Sequence, residues 1–330
     1  MVAERAGVST ATVSNVLTGK PHVSQAYAER VRAAAEALGY VPDRHASRLR
    51  SGRHSLAGVV VPDLSNPMFG LFVSTLERLA RAEGYDLLVM SSDNDPLQEA
   101  ERLQAIRSWR LSGLIVIPND GALAGRVPVG NEAPIVVADR IPDSDGFDLV
   151  AVDNGHAAGT MTAHLARQGC RTCLVAGSSL AISNVSERWD GVVAAAGTMA
   201  VTMVEVGFDG AVAVQRLRAG LGPDRRPDAL FALDHQTALW AFGLLGEMGL
   251  QASRDVAFAS FDETEWMRLV SPPVSTVRQP VQAMAEAAWA LLVRRIAGDH
   301  AVPDRTRLAC SLEIRGSSLR PTGPPVSTAA

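Results

Sequence analysis

Between residues 56 and 296 this chain alternates short apolar runs with longer amphipathic stretches, and nothing else in it constrains the fold as tightly. The apolar runs are 56–61, 85–90, 113–117, 135–138, 149–152, 172–176, 229–232 and 256–260. Helical periodicity fills 68–83, 96–109, 156–168, 236–248 and 281–296. Apolar strands separated by helices assemble as parallel sheets with helices on both faces. The expected body is therefore α/β, and 330 residues leave room for a further domain.

Open α/β sheets bind ligands beyond the C-terminal ends of their strands. The polar residues at those ends are the candidates. Asn66 and Phe69 follow the first run, Asp139 and Arg140 the fourth, Asp153 and Asn154 the fifth. Arg188 is expected to begin a helix after the 177–186 loop. Asp234 and Asp262 follow later runs, and Gln279 follows 275–277. Each has a plainer reading, since an Asp after a strand can simply cap the next helix. Together they offer carboxylates, amides, two guanidinium groups and an aromatic face, which suit a polyhydroxylated small molecule.

The first fifty-odd residues follow a different pattern. Ser9 can cap a helix running from Thr10 to about residue 18, with Val13, Val16 and Leu17 packing onto Ala3, Ala6 and Val8. Gly7 stands at the sharp turn before it. Ser24 caps a third helix whose apolar stripe is Tyr27, Val31, Ala34, Ala35 and Leu38, and Gly39 ends it. The second helix turns out a short polar face of Thr10, Ala11, Thr12, Ser14, Asn15 and Thr18, small enough to approach a DNA groove closely. A generic helical hairpin would share these features.

Charge separates the two regions. Residues 1–54 carry eight Arg/Lys against four acids, so the head is +4 and the rest of the −4 chain is −8. A basic module on an acidic body suits nucleic-acid binding by the module alone. Residues 43–53, DRHASRLRSGR, contain one large apolar side chain, Leu49, too little to hold an isolated helix. A flexible linker is the plain reading.

Other chemistries find little support. Cys170 and Cys173 form a lone CxxC, but Cys173 opens the apolar run CLVAG and no second ligand pair follows, so both read as core residues and no metal is expected. No GxGxxG follows the first strand and no P-loop occurs, so no nucleotide cofactor is expected. Outside the head and linker the histidines are scattered, with no nucleophile–base pair, so the chain does not read as an enzyme. No apolar run spans a membrane and no secretory leader precedes the head, which points to the cytoplasm.

The order GVSTATVSNVLTGKPHVS…RVRAAAEALGYVPDRHASRLRSGR closely resembles the head of the lactose/galactose-repressor family of bacterial transcription regulators. VVVPDLSNPMFG, LSGLIVIP, PIVVADR, VAVDN, ERWDG, ASFDETE and STVRQP carry the resemblance through the body. It implies a helix-turn-helix head at 1–42, a hinge helix at 43–54 and a core at 55–320 similar to periplasmic sugar-binding proteins. That core would divide into subdomains of about 55–152 with 280–308 and about 154–278 with 309–320, followed by a disordered tail, 321–330. By the same resemblance Thr10, Ala11 and Asn15 read bases, while Ser9, Thr12, Ser14 and Ser24 touch phosphates. Leu49 wedges into a base step of the minor groove when the hinge pairs with its dimer mate. Asn66, Phe69, Asp139, Arg140, Arg188, Asp234, Asp262 and Gln279 sit where pentose- and ribose-type members hold their sugar.

The chain departs from the family in four places. Asn15 replaces an Arg that would grip guanine, and Asp234 replaces an Asn. The 190–215 segment is shorter than usual, as though a helix and loop were trimmed. Met1 stands directly before Val2, so the first helix lacks its opening turn and a start upstream is expected. The function expected is a homodimeric, sequence-specific repressor of a palindromic operator, controlled by a small molecule expected to be a sugar. The alternative is a cytoplasmic sugar-binding protein with an impaired head.

Overall fold

The computed structural model describes residues 1–17, 23–40, 56–128, 131, 133–222 and 226–319. The chain divides into two compact units, Met1–Ser55 and Leu56–Ala330.

In the first unit, α1 (Val2–Ala6) ends at Gly7, whose φ of 60° lies in the left-handed region that glycine adopts at low cost. The Ser9 hydroxyl accepts the Thr12 backbone N–H at 3.1 Å and starts α2 (Thr10–Leu17). Ser24 caps α3 (Gln25–Ala37) by accepting the Tyr27 N–H. Val2, Ala6, Val13, Val16, Val31, Ala34 and Ala35 form the buried core. Tyr27 departs from the stripe expected for α3: it is 46% exposed, with the Arg30 guanidinium 5.7 Å from its ring. The small core is already filled from Val31 onward, so the ring stays at the surface.

The second unit holds two six-stranded sheets. The first is built from β1 (Leu56–Val61), β2 (Asp86–Ser91), β3 (Gly113–Val116), β4 (Ile135–Ala138), β5 (Asp148–Val152) and β11 (Arg305–Leu308). Its order is β11-β5-β4-β3-β1-β2, parallel throughout. The second contains β6 (Thr172–Gly177), β7 (Ala200–Glu205), β8 (Ala229–Ala232), β9 (Ala257–Phe261), β10 (Ser275–Arg278) and β12 (Ser311–Glu313). Its order is β12-β10-β9-β8-β6-β7, parallel except for the antiparallel edge strand β12.

Helices cover both faces of each sheet, as the alternation of apolar runs requires. On the first, α4 (Pro67–Ala82) and α12 (Val281–Ile296) cover one face, and α5 (Pro96–Ile106) and the short α6 (Leu123–Arg126) the other. On the second, α7 (Asn154–Arg167) and α8 (Ser183–Ala195) oppose α9 (Gly210–Gly220), α10 (His235–Glu247) and α11 (Trp266–Leu269). The chain passes between sheets three times: from β5 into α7, from β10 into α12, and from β11 into β12.

The 178–220 region differs most from the sequence expectation. Helix α8 begins at Ser183, so Arg188 lies in its second turn rather than at its start. The stretch expected to be trimmed folds as the end of α8, then β7 and α9, a strand–helix unit continuous with the sheet. Strand β7 lies at the sheet edge with alternate residues exposed, so it lacks the continuous apolar run that marks the inner strands.

Candidate functional site

The C-terminal ends of strands from both sheets open onto one cleft of about 430 Å³. Asn66, Phe69, Asp139, Arg140, Arg188, Asp234, Asp262 and Gln279 all line it. Asp153 and Asn154 do not: Asp153 caps α7 through the His156 N–H, and Asn154 lies buried behind Arg188.

Two carboxylates occupy equivalent places. Asp139 follows β4 with φ 63° and Asp262 follows β9 with φ 71°, and each strand is third in its sheet. Left-handed backbone is uncommon for residues with a Cβ, although Asp tolerates it better than most. Strain of this kind, of order 1–3 kcal/mol, persists where the surroundings over-determine it, and it concentrates at functional sites. Each carboxylate holds an amide. Asn184 Nδ2 donates to Asp139 Oδ2 at 2.9 Å, and Gln279 Nε2 donates to Asp262 Oδ1 at 2.5 Å. Burial pushes the Asp139 carboxyl above the usual range, against the pull of the Arg188 and Arg140 charges.

Arg188 is the largest fully buried side chain, 2% exposed, and is held from four sides. Its Nε donates to Asn154 Oδ1 at 2.8 Å and its Nη1 to the Leu233 carbonyl at 2.7 Å. Nη1 lies 3.7 Å from Asp262 Oδ2, and the guanidinium stacks 3.7 Å above the Phe261 ring. Behind it, Asn154 Nδ2 donates to Glu187 Oε2 at 3.0 Å. Glu187 is paired with Arg307 of β11 at 2.9 Å, and Arg307 also donates to the Val152 carbonyl at 3.0 Å. The cleft arginine thus connects to two of the three crossings between sheets.

Glycine chemistry brings α8 this close. A Cβ on Gly191 of α8 would stand 2.1 Å from the Gly155 carbonyl oxygen of α7, so only glycine permits the approach. Arg140, 7% exposed, donates through Nη1 to the Pro118 and Asn119 carbonyls, both at 3.1 Å.

The other expected residues do double duty. Asn66 caps α4 through the Met68 N–H, leaving its amide nitrogen for other partners. Asp234 caps α10 through Thr237 N–H and ties down the Ser178 N–H, each at 2.8 Å, so both its oxygens carry structural bonds. Phe69 is 3% exposed and belongs mainly to the core under α4.

Sequence reasoning missed Asn184 and Trp240, which also line the cleft. Asn184 falls in what reads as a loop. Trp240 reads as a core residue of α10, and no local signal sets either apart. Phe208, 53% exposed, lines the cleft as well. Cys170 and Cys173 are buried with free thiols, and burial pushes the Cys173 thiol far above its ordinary value, so it packs as an inert apolar group. Cys310 is pushed up to about 12, also by burial. Among the described residues no group of three or more His, Cys, Asp or Glu could hold a metal ion.

In the head, Ser9, Thr10, Ala11 and Ser24 are exposed, while Thr12, Ser14 and Asn15 are half-buried. Ser9 and Thr12 share a hydroxyl–hydroxyl bond of 2.9 Å at the start of α2. That end of the helix carries small hydroxyls, the chemistry that meets phosphates. Leu49 and the hinge lie outside the described residues, as does the tail.

Residues 2–43 match the model of bacterial regulatory proteins of the lacI family, and residues 162–318 match that of a periplasmic binding protein-like domain. The HTH-type transcriptional regulator PtxS of Pseudomonas plecoglossicida is 31% identical over 326 residues, covering 96% of this chain and 94% of the relative. The Lac repressor dimer, solved bound to operator and the anti-inducer ONPF, has the same fold: TM-score 0.83 at 24% identity, covering 96% of this chain and 98% of that one. A transcriptional regulator CelR–cellobiose complex aligns at TM-score 0.72 and 25% identity, covering 96% and 98%. A helix-turn-helix head joined to a two-sheet binding core, with a relative so similar along nearly its whole length, places the chain in the LacI family of bacterial transcriptional regulators.

Proposed function

We propose that this regulator is a homodimer that binds a palindromic DNA operator through its heads and whose operator affinity is set by a sugar bound in the core cleft. One observation carries the reading: eight polar and aromatic residues spread from Asn66 to Gln279 converge on a single cleft between two sheets that the chain crosses three times. A ligand bridging both sheets favours one arrangement of the two halves over others, and only that differential affinity can shift a head-bound equilibrium. One short head makes few contacts, so a two-fold pair on successive turns of DNA supplies the affinity. The operator-bound dimer of the Lac repressor and the cellobiose held by CelR support both halves of this reading by analogy. In it the protein works by binding rather than by catalysis, in the cytoplasm beside its DNA. No helix among the described residues is long and apolar enough to cross a membrane.

In this reading Thr10, Ala11 and Asn15 read bases, Ser9, Thr12, Ser14 and Ser24 meet phosphates, and Leu49 wedges the minor groove. The test is footprinting on the promoter beside its own gene, with calorimetry against pentoses, hexoses, nucleosides and purines. A protected palindrome whose occupancy changes with one sugar supports the proposal. Tight binding of a purine with no response to any sugar overturns the effector assignment.

A further inference from the structure

We propose that the cleft selects a polyhydroxylated ligand carrying no negative charge and turns away sugar acids and sugar phosphates. This inference rests on the reading of the cleft as the effector site.

Hydrogen-bond polarity is the first argument. Asp139 and Asp262 each take up the N–H side of an amide, Asn184 at 2.9 Å and Gln279 at 2.5 Å. A carboxylate accepts only, so these bonds settle which way both amides point, and their carbonyl oxygens are left over. Asp139 Oδ1, Asn184 Oδ1 and Gln279 Oε1 are buried without a partner among the described residues, and all three residues line the cleft. Against these three acceptors, the described residues that line the cleft offer one unpartnered buried donor, Arg140 Nε. Buried polar atoms need partners, so the ligand must donate more bonds than it accepts at this wall. A sugar hydroxyl does so readily. A carboxylate or phosphate brings only acceptors and leaves these atoms facing like polarity.

Net charge is the second argument, and it is independent of the first. Five carboxylates line the cleft, Asp63, Asp93, Asp139, Asp234 and Asp262, against the guanidinium groups of Arg140 and Arg188. Arg188 is spent on Asn154, the Leu233 carbonyl, Asp262 and the Phe261 ring, and Arg140 Nη1 on two backbone carbonyls. Arg140 Nε is left as an unpartnered cationic donor, one against five carboxylates. An incoming anion would meet a surplus of like charge in a partly enclosed space, where Coulomb repulsion is stronger than in water.

The experiment is isothermal titration calorimetry on the full-length protein near neutral pH, using matched probes: D-ribose with D-ribonate and ribose 5-phosphate, D-glucose with D-gluconate and glucose 6-phosphate, D-galactose with D-galacturonate. A neutral sugar should bind, and its charged counterparts should bind at least about tenfold weaker. Asp139→Asn should shrink that ratio most. Asp93→Asn removes a charge at an exposed position with φ 54°, a backbone that Asn tolerates, and should narrow the ratio about twofold. This second variant keeps the test decisive if Asp139→Asn does not fold. An acid or phosphate that binds as tightly as its neutral partner, or a ratio that neither variant moves, overturns the charge selection and leaves the effector cleft standing. Failure of every probe to bind overturns both readings.

Discussion

Replacing Asn154 with Ala tests the arrangement that holds Arg188 in the cleft. Asn154 is fully buried, and its side chain links Arg188 Nε at 2.8 Å to Glu187 at 3.0 Å. Truncation leaves a buried, charged N–H without its acceptor. Hydrogen bonds to charged groups contribute about 1.5–3 kcal/mol, and a buried donor left unpaired costs its desolvation. Glu187 keeps Arg307 at 2.9 Å and is partly solvated, so its loss adds little. The expected destabilisation of the core is about 2–4 kcal/mol, a large share of the 5–15 kcal/mol typical of a domain. Arg188 keeps the Leu233 carbonyl and the Phe261 ring, so it is loosened rather than released. Re-ordering one long side chain costs about 0.5–1.5 kcal/mol, which predicts effector affinity weaker by roughly two- to tenfold. Asn154→Asp separates the two roles: it preserves an acceptor for Arg188 but sets a second carboxylate against Glu187. Urea denaturation and calorimetry on both variants measure the two effects. If Asn154→Ala unfolds within about 0.5 kcal/mol of the parent and binds effector equally well, Asn154 does not position Arg188 and the reasoning fails.

Three further outcomes are expected, two from particular contacts and one from the proposed role of the hinge. Gly191→Ala should cost about 1–3 kcal/mol despite alanine's better helix propensity, because its Cβ meets the Gly155 carbonyl at 2.1 Å; Gly243→Ala in α10, with nothing within 4 Å, should gain about 0.5–1 kcal/mol. Thermal melts that order the two variants the other way would refute the close packing of α7 on α8. Burial raises the Asp148 carboxyl, but hydrogen bonds from Arg295 and the Asp304 N–H outweigh it and hold the native value below the ordinary carboxylate range. Its stabilisation is therefore present above the unfolded value and lost as pH falls through the lower native one. The stability gap between parent and Asp148→Asn should close in that acid window, and a gap unchanged down to pH 2 counts against it. Leu49→Ala should weaken operator binding more than binding to random DNA in gel-shift titrations, since a wedge acts only on a specifically bent site; equal losses on both would remove the wedge role.

Much of the molecule is legible in its residues. Most inner strands of both sheets are continuous apolar runs, β10 (STVR) excepted, and the runs expected at 135–138 and 229–232 coincide with β4 and β8. The caps at Ser9 and Ser24 and the turn at Gly7 are local hydrogen-bond and backbone choices, readable one residue at a time. Edge strand β7 and the start of α8 were not legible, because an edge strand is exposed on alternate residues and Ser183 has no side-chain cap ahead of it. Tyr27 shows the same limit in the head: periodicity assigned it a buried face, but a core this small had no room left for the ring.

By itself the sequence determined the class of fold, a three-helix head and the list of polar residues at strand ends, because periodicity, capping and turn chemistry act over a few residues; that the head is a helix-turn-helix came from the family resemblance. Only the tertiary structure decided what those polar residues face. Asp234 and Asn66 turned out to cap helices as well as line the cleft, and Asp153 to cap one away from it. Asp139 and Asp262 took left-handed backbone, and each claimed an amide from a residue distant in the chain, 45 and 17 positions away. Those partners are brought together by the chain's repeated passage between two sheets. The polarity of the cleft therefore depends on contacts that no local pattern encodes.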